Sequence, residues 1–223
     1  MSCKAVIFDM DGTLLDTLED IAATLNSVLA SHAYPVHSIE ACRYLVGSGM
    51  RELIRKALPE GEATPERTET LLGELLEAYG EHWNVLSRPY AGIAELLDGL
   101  ETRGIPKAIL SNKADHFTKL CAEHLLEGWN FDVVMGHHDG IKHKPEPEGA
   151  LLIAEHLGVA PSEILYVGDT GIDMLTATRA GMYPAGVLWG FRPEHELLEF
   201  GARSLASHPA ELLELLELLE SCC

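Results

Sequence analysis

From Tyr90 onward the sequence alternates helix-period segments with short runs of β-forming apolar residues, and few folds accept that pattern. The spacing predicts helices over 91–103, 114–126, 147–157 and 171–181, with strands over 106–111, 131–135, 163–168 and 184–188. Repeated βα units of this kind specify a parallel sheet flanked by helices. An earlier apolar run over 4–9 reads as one more strand, which must join the same sheet to be buried.

Residues 16–87 interrupt this order. Helical spacing recurs over 18–33, 38–45, 49–58 and 68–83, Pro59 to Arg67 reads as a loop, and no strand is expected between. The expected organisation is an α/β core of 1–15 and 88–223, with an all-helical domain of 16–87 inserted over the carboxyl edge of its sheet.

That edge carries the chemistry. Asp9-Met10-Asp11-Gly12-Thr13 follows the first strand, in the crevice where open α/β sheets bind ligands. Two carboxylates two residues apart share a side of an extended segment and repel. A hard divalent cation such as Mg²⁺ resolves the repulsion. A carboxylate is also a competent nucleophile toward phosphorus. The acids do not fit a calcium loop, because Gly12 stands fourth from Asp9 where an EF-hand needs glycine sixth.

Three further strand ends contribute polar groups. Ser111-Asn112-Lys113 offers a hydroxyl, an amide and an ammonium, although Ser-Asn is also a common helix start. Lys144, in Lys144-Pro145-Glu146-Pro147, offers a cation on a stiffened loop. Gly168-Asp169 followed by Asp173 gives a second acid pair at a helix start, where capping alone would also favour acids. Independent caps would not require this set of acid pair, hydroxyl, lysine and acid pair. His137, His138, Asp139 and His143 match no usual zinc spacing.

Composition narrows the partners. The chain has 35 acids against 16 bases, a net charge of −19, which disfavours nucleic acid and anionic membrane. An anionic substrate then needs a metal or concentrated cations at its site. The five cysteines, at 3, 42, 121, 222 and 223, have no framework spacing and point to reduced thiols. Without a leader or a spanning run, the expected location is cytoplasmic. The tail 211–220 repeats Leu-Leu-Glu and reads as a final packed helix, with self-association as the lesser reading; monomer and homodimer both stay open.

The four motifs, in this order, resemble the haloacid dehalogenase-like hydrolase superfamily over nearly the whole chain. Asp9-x-Asp11-Gly12-Thr13, Ser111-Asn112-Lys113, Lys144-Pro145-x-Pro147 and Gly168-Asp169-x-x-x-Asp173 carry the resemblance. It implies a Rossmann-like core, with 16–87 similar to a type-1 cap. The segments 46–51, 88–92 and 188–192 look most like the phosphoglycolate phosphatase group.

The resemblance implies a Mg²⁺-dependent phosphatase of a small phosphorylated metabolite. Asp9 is then the nucleophile, and Asp11 the general acid and base. Ser111 and Lys144 bind the phosphoryl group, with Thr13, Asn112 and Gly49 also at the substrate. Asp9, Asp169 and the Asp11 carbonyl hold the metal, and Asp173 supports that site or orients Lys144. Arg51 is the candidate for gripping a substrate carboxylate. A phosphosugar mutase resembling β-phosphoglucomutase is the alternative, disfavoured by Asp20 where such chains usually place histidine. A phosphonate hydrolase would be expected to carry alanine at 11. A non-catalytic protein that kept the fold would be expected to have lost a motif acid.

Overall fold

A computed structural model describes residues 3–221. The chain opens with strand β1 (Ala5–Phe8), then pairs two short antiparallel strands, β2 (Leu15–Asp16) and β3 (Arg88–Pro89). Between them lie helices α1 (Leu18–Ser31), α2 (Ile39–Leu45), α3 (Met50–Ala57) and α4 (Pro65–His82). The rest alternates: α5 (Ile93–Thr102), β4 (Lys107–Ala114), α6 (Asp115–Leu125), β5 (Val133–His137), α7 (Glu148–Leu157), β6 (Ile164–Gly168), α8 (Gly171–Ala180) and β7 (Tyr183–Val187). It ends with α9 (Glu194–Glu199), β8 (Ser204–Ala206) and α10 (Ala210–Ser221).

The main sheet has six strands in the order β5-β4-β1-β6-β7-β8, every neighbouring pair parallel. The chain order reverses around β1, so the switch point falls at its carboxyl end, where Asp9 stands. Alternation along β1 sends Val6 and Phe8 into one buried layer, and Ala5 and Ile7 into the other. Both faces are covered, which is why the strand reads as a continuous apolar run. The first layer continues into the helical insert through Leu25, Leu29, Leu71 and Leu75.

Helix α4 begins at Pro65 rather than at the expected 68. Thr64 caps it, its hydroxyl accepting from Arg67 N at 3.3 Å, and proline suits the first turn. Strand β4 runs on to Ala114, past the expected end at 111, with its pairing to β5 shifting between Leu110 and Ala114. The apolar pattern does not predict helix α9 or strand β8; both are short, and β8 extends the sheet edge beyond β7. Helix α10 buries Leu212 and Leu216 and is tied to α5 by Arg103 and Glu217 at 2.6 Å. Cys222 and Cys223 lie outside the described residues. Among the described residues no helix is long and apolar enough to cross a membrane.

Asp20 joins the two crossings of the insert. Its carboxylate, 3% exposed, accepts from Leu86 N at 3.0 Å, Ser87 N at 2.8 Å and Ser87 Oγ at 2.7 Å. Asp20→Ala strands the buried N–H and hydroxyl of Ser87 and removes the acceptor of the part-buried Leu86 N–H. It is expected to lower stability by roughly 2–4 kcal/mol, read by denaturant titration. A loss under about 0.5 kcal/mol would show that Asp20 does not hold the two crossings together.

Candidate active site

Strand β1 delivers Asp9 into a tight turn in which the Met10 carbonyl accepts from Leu14 N and Leu15 N at 3.0 Å. Gly12 has φ +87°, and a Cβ there would lie 2.3 Å from Asp169 Oδ2. Only glycine lets this turn close over the second acid pair. Asp169 follows β6, and its Oδ1 accepts from Thr13 Oγ1 at 3.0 Å. Its Oδ2 accepts from Phe191 N at 2.8 Å.

Asp9, Asp169 and Asp173 each place a carboxylate oxygen within 4.8 Å of the others. Among the described residues this is the only such group of His, Cys, Asp and Glu side chains. Burial, with the charges of Asp173 and Asp169 added, pushes the Asp9 carboxyl well above its ordinary value, and Lys144 opposes the rise. Burial and then Asp173 push Asp169 up to about 7, against the hydrogen bonds from Phe191 and Thr13. An all-oxygen, buried and mutually repelling set is the environment that a hard divalent cation relieves. The residues fit such an ion.

Lys144 supplies the fixed cation. Its ammonium reaches Asp173 Oδ1 at 2.7 Å, Asp9 Oδ1 at 2.8 Å and the Leu110 carbonyl at 3.1 Å. Burial works to lower its pKa, but Asp173 and Asp9 overcome that and hold it well above the usual lysine value. Asp173 Oδ2 accepts from Thr170 N at 3.1 Å, closing the capping box of α8, and from Thr170 Oγ1 at 2.6 Å. Asp9 Oδ1 also accepts from Met10 N at 2.7 Å. Among the described residues no hydrogen bond reaches Asp9 Oδ2.

Asp9 and Asp11 face a cleft that Ser111 and Lys113 also line. Its other wall is apolar, from Ile21, Val46, Met50 and Leu53, with Gly47 and Gly49 beside them. Gly49 has φ +87°, and a Cβ there would stand 2.9 Å from His143 Nε2.

The expected substrate contacts divide. Ser111 and Gly49 line the cleft. Thr13 is fully buried against Asp169 and serves that carboxylate instead. Asn112 also lines the cleft, but its amide is committed to backbone: Nδ2 donates to the Gly47 and Lys144 carbonyls at 2.9 and 3.0 Å, and Oδ1 accepts from Lys144 N at 2.8 Å. It ties the helical insert to the Lys144 loop. Arg51 pairs with Glu69 and lines a different groove, because it sits on the face of α3 that meets α4. His137 and His143 stack at 3.4 Å and belong to no three-ligand group among the described residues.

Two segments visible in the sequence take roles that only the structure shows. Lys113, named in its motif, had no role assigned; its ammonium lies 2.6 Å from Asp11 Oδ1. Period-two alternation along a longer β4 would have placed it beside Ser111. The loop after β7 packs over the acids. Trp189 Nε1 donates to the Thr13 carbonyl at 2.9 Å, and a Cβ on Gly190 would meet Asp169 Cβ at 2.3 Å. Arg192 donates to the Val46 carbonyl at 2.8 Å, joining this loop to the helical insert.

A parallel sheet that gathers two acid pairs, a serine and a buried lysine at its switch point defines a haloacid dehalogenase-like hydrolase. A family model of that description, haloacid dehalogenase-like hydrolase, matches residues 6–187, and the chain belongs to this family. It is 36% identical to the N-acetylmuramic acid 6-phosphate phosphatase of Pseudomonas aeruginosa, over 97% of this chain and 96% of that one. It is 32% identical to a phosphoglycolate phosphatase of Xanthomonas campestris, over 95% of each chain. A crystal structure described as a putative phosphoglycolate phosphatase from Lactobacillus delbrueckii superposes with a TM-score of 0.91 at 29% identity, covering 97% of this chain and 99% of the other. Within the family the chain falls in the phosphoglycolate phosphatase-like group.

Proposed function

We propose that the protein is a Mg²⁺-dependent phosphoric monoester hydrolase that works through an aspartyl-phosphate on Asp9. In this reading residues 16–87 are a cap that shields the cleft, over a core of 1–15 and 88–223. The observation that carries it is the state of Asp9: one oxygen is pinned by Lys144 and Met10 N, and the other is bare.

The bare oxygen attacks phosphorus, and Lys144 keeps the attacking carboxylate aligned. Asp11 gives a proton to the leaving oxygen and later takes one from the attacking water. Ser111 holds a phosphoryl oxygen from the core side. The apolar wall excludes bulk water from the phosphoenzyme. Asp9, Asp169 and the Asp11 carbonyl would hold the metal, with Asp173 beside them, and the ion would neutralise charge on the phosphate as it enters an acidic site. Positioning and charge neutralisation are what phosphoryl transfer chiefly needs.

The substrate is a small phosphate monoester of phosphoglycolate size, held by its phosphate and bounded by Ile21, Val46, Met50 and Leu53. Arg51, tied to Glu69, gives no support for a dedicated carboxylate grip. The mutase reading gains nothing either, since the Asp20 carboxylate is taken up by Leu86 and Ser87.

The test is phosphate release from a panel of phosphorylated metabolites and an aryl phosphate, with Mg²⁺ present. Turnover is expected, and chelation should remove at least about 100-fold of it, with Mg²⁺ restoring the rate. Turnover that survives exhaustive chelation would sink the metal assignment. No turnover on any ester would favour a non-catalytic binding protein.

A further inference from the structure

We propose that Lys113 is a positioning residue for Asp11: together with Thr17 it anchors Oδ1 and leaves Oδ2 as the proton-carrying oxygen. The proposal rests on the reading of Asp11 as general acid and base, and it says which atom does that work.

The two oxygens of Asp11 are held unequally. Oδ1 accepts from Lys113 Nζ at 2.6 Å and from Thr17 Oγ1 at 2.7 Å. Oδ2 has only the longer contact to the same ammonium, at 2.9 Å. A proton on Oδ1 would have to displace two short donors. A proton on Oδ2 leaves both in place, so the carboxyl keeps its orientation in either protonation state.

Lys113 itself stays out of the chemistry. Its side chain is 1% exposed, and the Tyr79 ring, from α4 of the helical insert, stands 5.1 Å from its ammonium. The charge is enclosed between Asp11 and an aromatic face, so little water competes for it. Extended backbone through Ser111–Ala114 sets Lys113 on the same side as Ser111, which aims the ammonium at Asp11.

The proton accounting closes. As the phosphorus–oxygen bond to the leaving group breaks, its electron pair stays on the leaving oxygen, which takes the Asp11 Oδ2 proton. Asp11 remains as a carboxylate anchored by Lys113 and Thr17. Water then attacks phosphorus and gives its proton to Oδ2, while the electron pair of the Asp9–phosphorus link returns to Asp9. Lys113 holds three protons throughout.

The experiment compares an alkyl phosphate, whose leaving oxygen needs a proton, with p-nitrophenyl phosphate, whose leaving group does not. The readout is kcat/KM, which covers the steps up to leaving-group departure. Lys113→Met is expected to lower it about 100-fold for the alkyl ester and less than about fivefold for the aryl ester. Lys113→Arg keeps the charge and should recover at least about a tenth of the alkyl rate. Thr17→Val removes the other anchor and should show the same selective loss at about tenfold, which keeps the proposal testable if Lys113→Met does not fold. Equal losses on both esters, or no loss on either, overturn the proposal. A wild type inactive on both overturns the phosphatase reading and this proposal with it.

Discussion

Asp9→Asn is expected to abolish phosphate release from every ester, by on the order of 10⁴-fold or more, while leaving the protein folded. The asparagine is nearly the same shape and still offers an oxygen to Lys144 and Met10 N. What it lacks is a charged oxygen able to bond phosphorus. The same change has an opposite effect on stability, which separates lost chemistry from lost structure. Burial raises the folded Asp9 carboxyl well above 3.8, its ordinary value. Between those values the folded state holds the proton longer than the unfolded chain, so wild-type stability falls as pH rises through that interval. Asparagine removes that fall. Metal-free Asp9→Asn should therefore unfold at a higher temperature than metal-free wild type at pH 8, and the gap should close as pH approaches 4. Thermal scans at several pH values, with chelator, check this. A variant that keeps even a hundredth of the wild-type rate would end the claim that Asp9 is the nucleophile.

The sheet and the acid pairs were legible because both depend on short-range pattern. Val6 to Phe8 reads as a buried parallel strand from its own residues, and Asp9 must then emerge at its carboxyl end. The basic residues show the limit. Met50 and Asn112 both line the cleft, and a cation, Arg51 or Lys113, follows each in the sequence. Their fates are set by neighbours far along the chain: Glu69 on α4 draws Arg51 outward, whereas Asp11 draws Lys113 inward. Thr13 and Asn112 were legible as members of motifs, but not as ties to Asp169 and to backbone carbonyls, since tertiary contacts decide which partner a buried polar group takes. The loop at 188–192 resembled its counterpart in the family, yet the reason for Gly190 emerges only from its approach to Asp169.

Lys144→Met should damage stability and catalysis together, because one ammonium serves both. It is the fixed cation among three carboxylates, bonded to Asp9 and Asp173 and 3% exposed at the side chain. Methionine fills similar space and returns none of the charge. Asp9 and Asp173 are then left buried without their partner, and breaking a buried pair in this way costs about 3–5 kcal/mol. For a chain of this length that lowers the unfolding temperature by roughly 6–20 °C. The loss should be largest in chelator and smaller in excess Mg²⁺, because an ion bound to the same carboxylates replaces part of the missing charge. Activity should not recover to the same extent. The ammonium also fixes the orientation of Asp9, and loss of one such positioned donor lowers turnover by about 10²–10³-fold. Thermal scans with and without Mg²⁺, alongside phosphate release, measure both effects on one preparation. If Lys144→Met melts with the wild type in chelator, the ammonium does not hold the acids together. If it also turns over within about tenfold of wild type, Lys144 lies outside the chemistry.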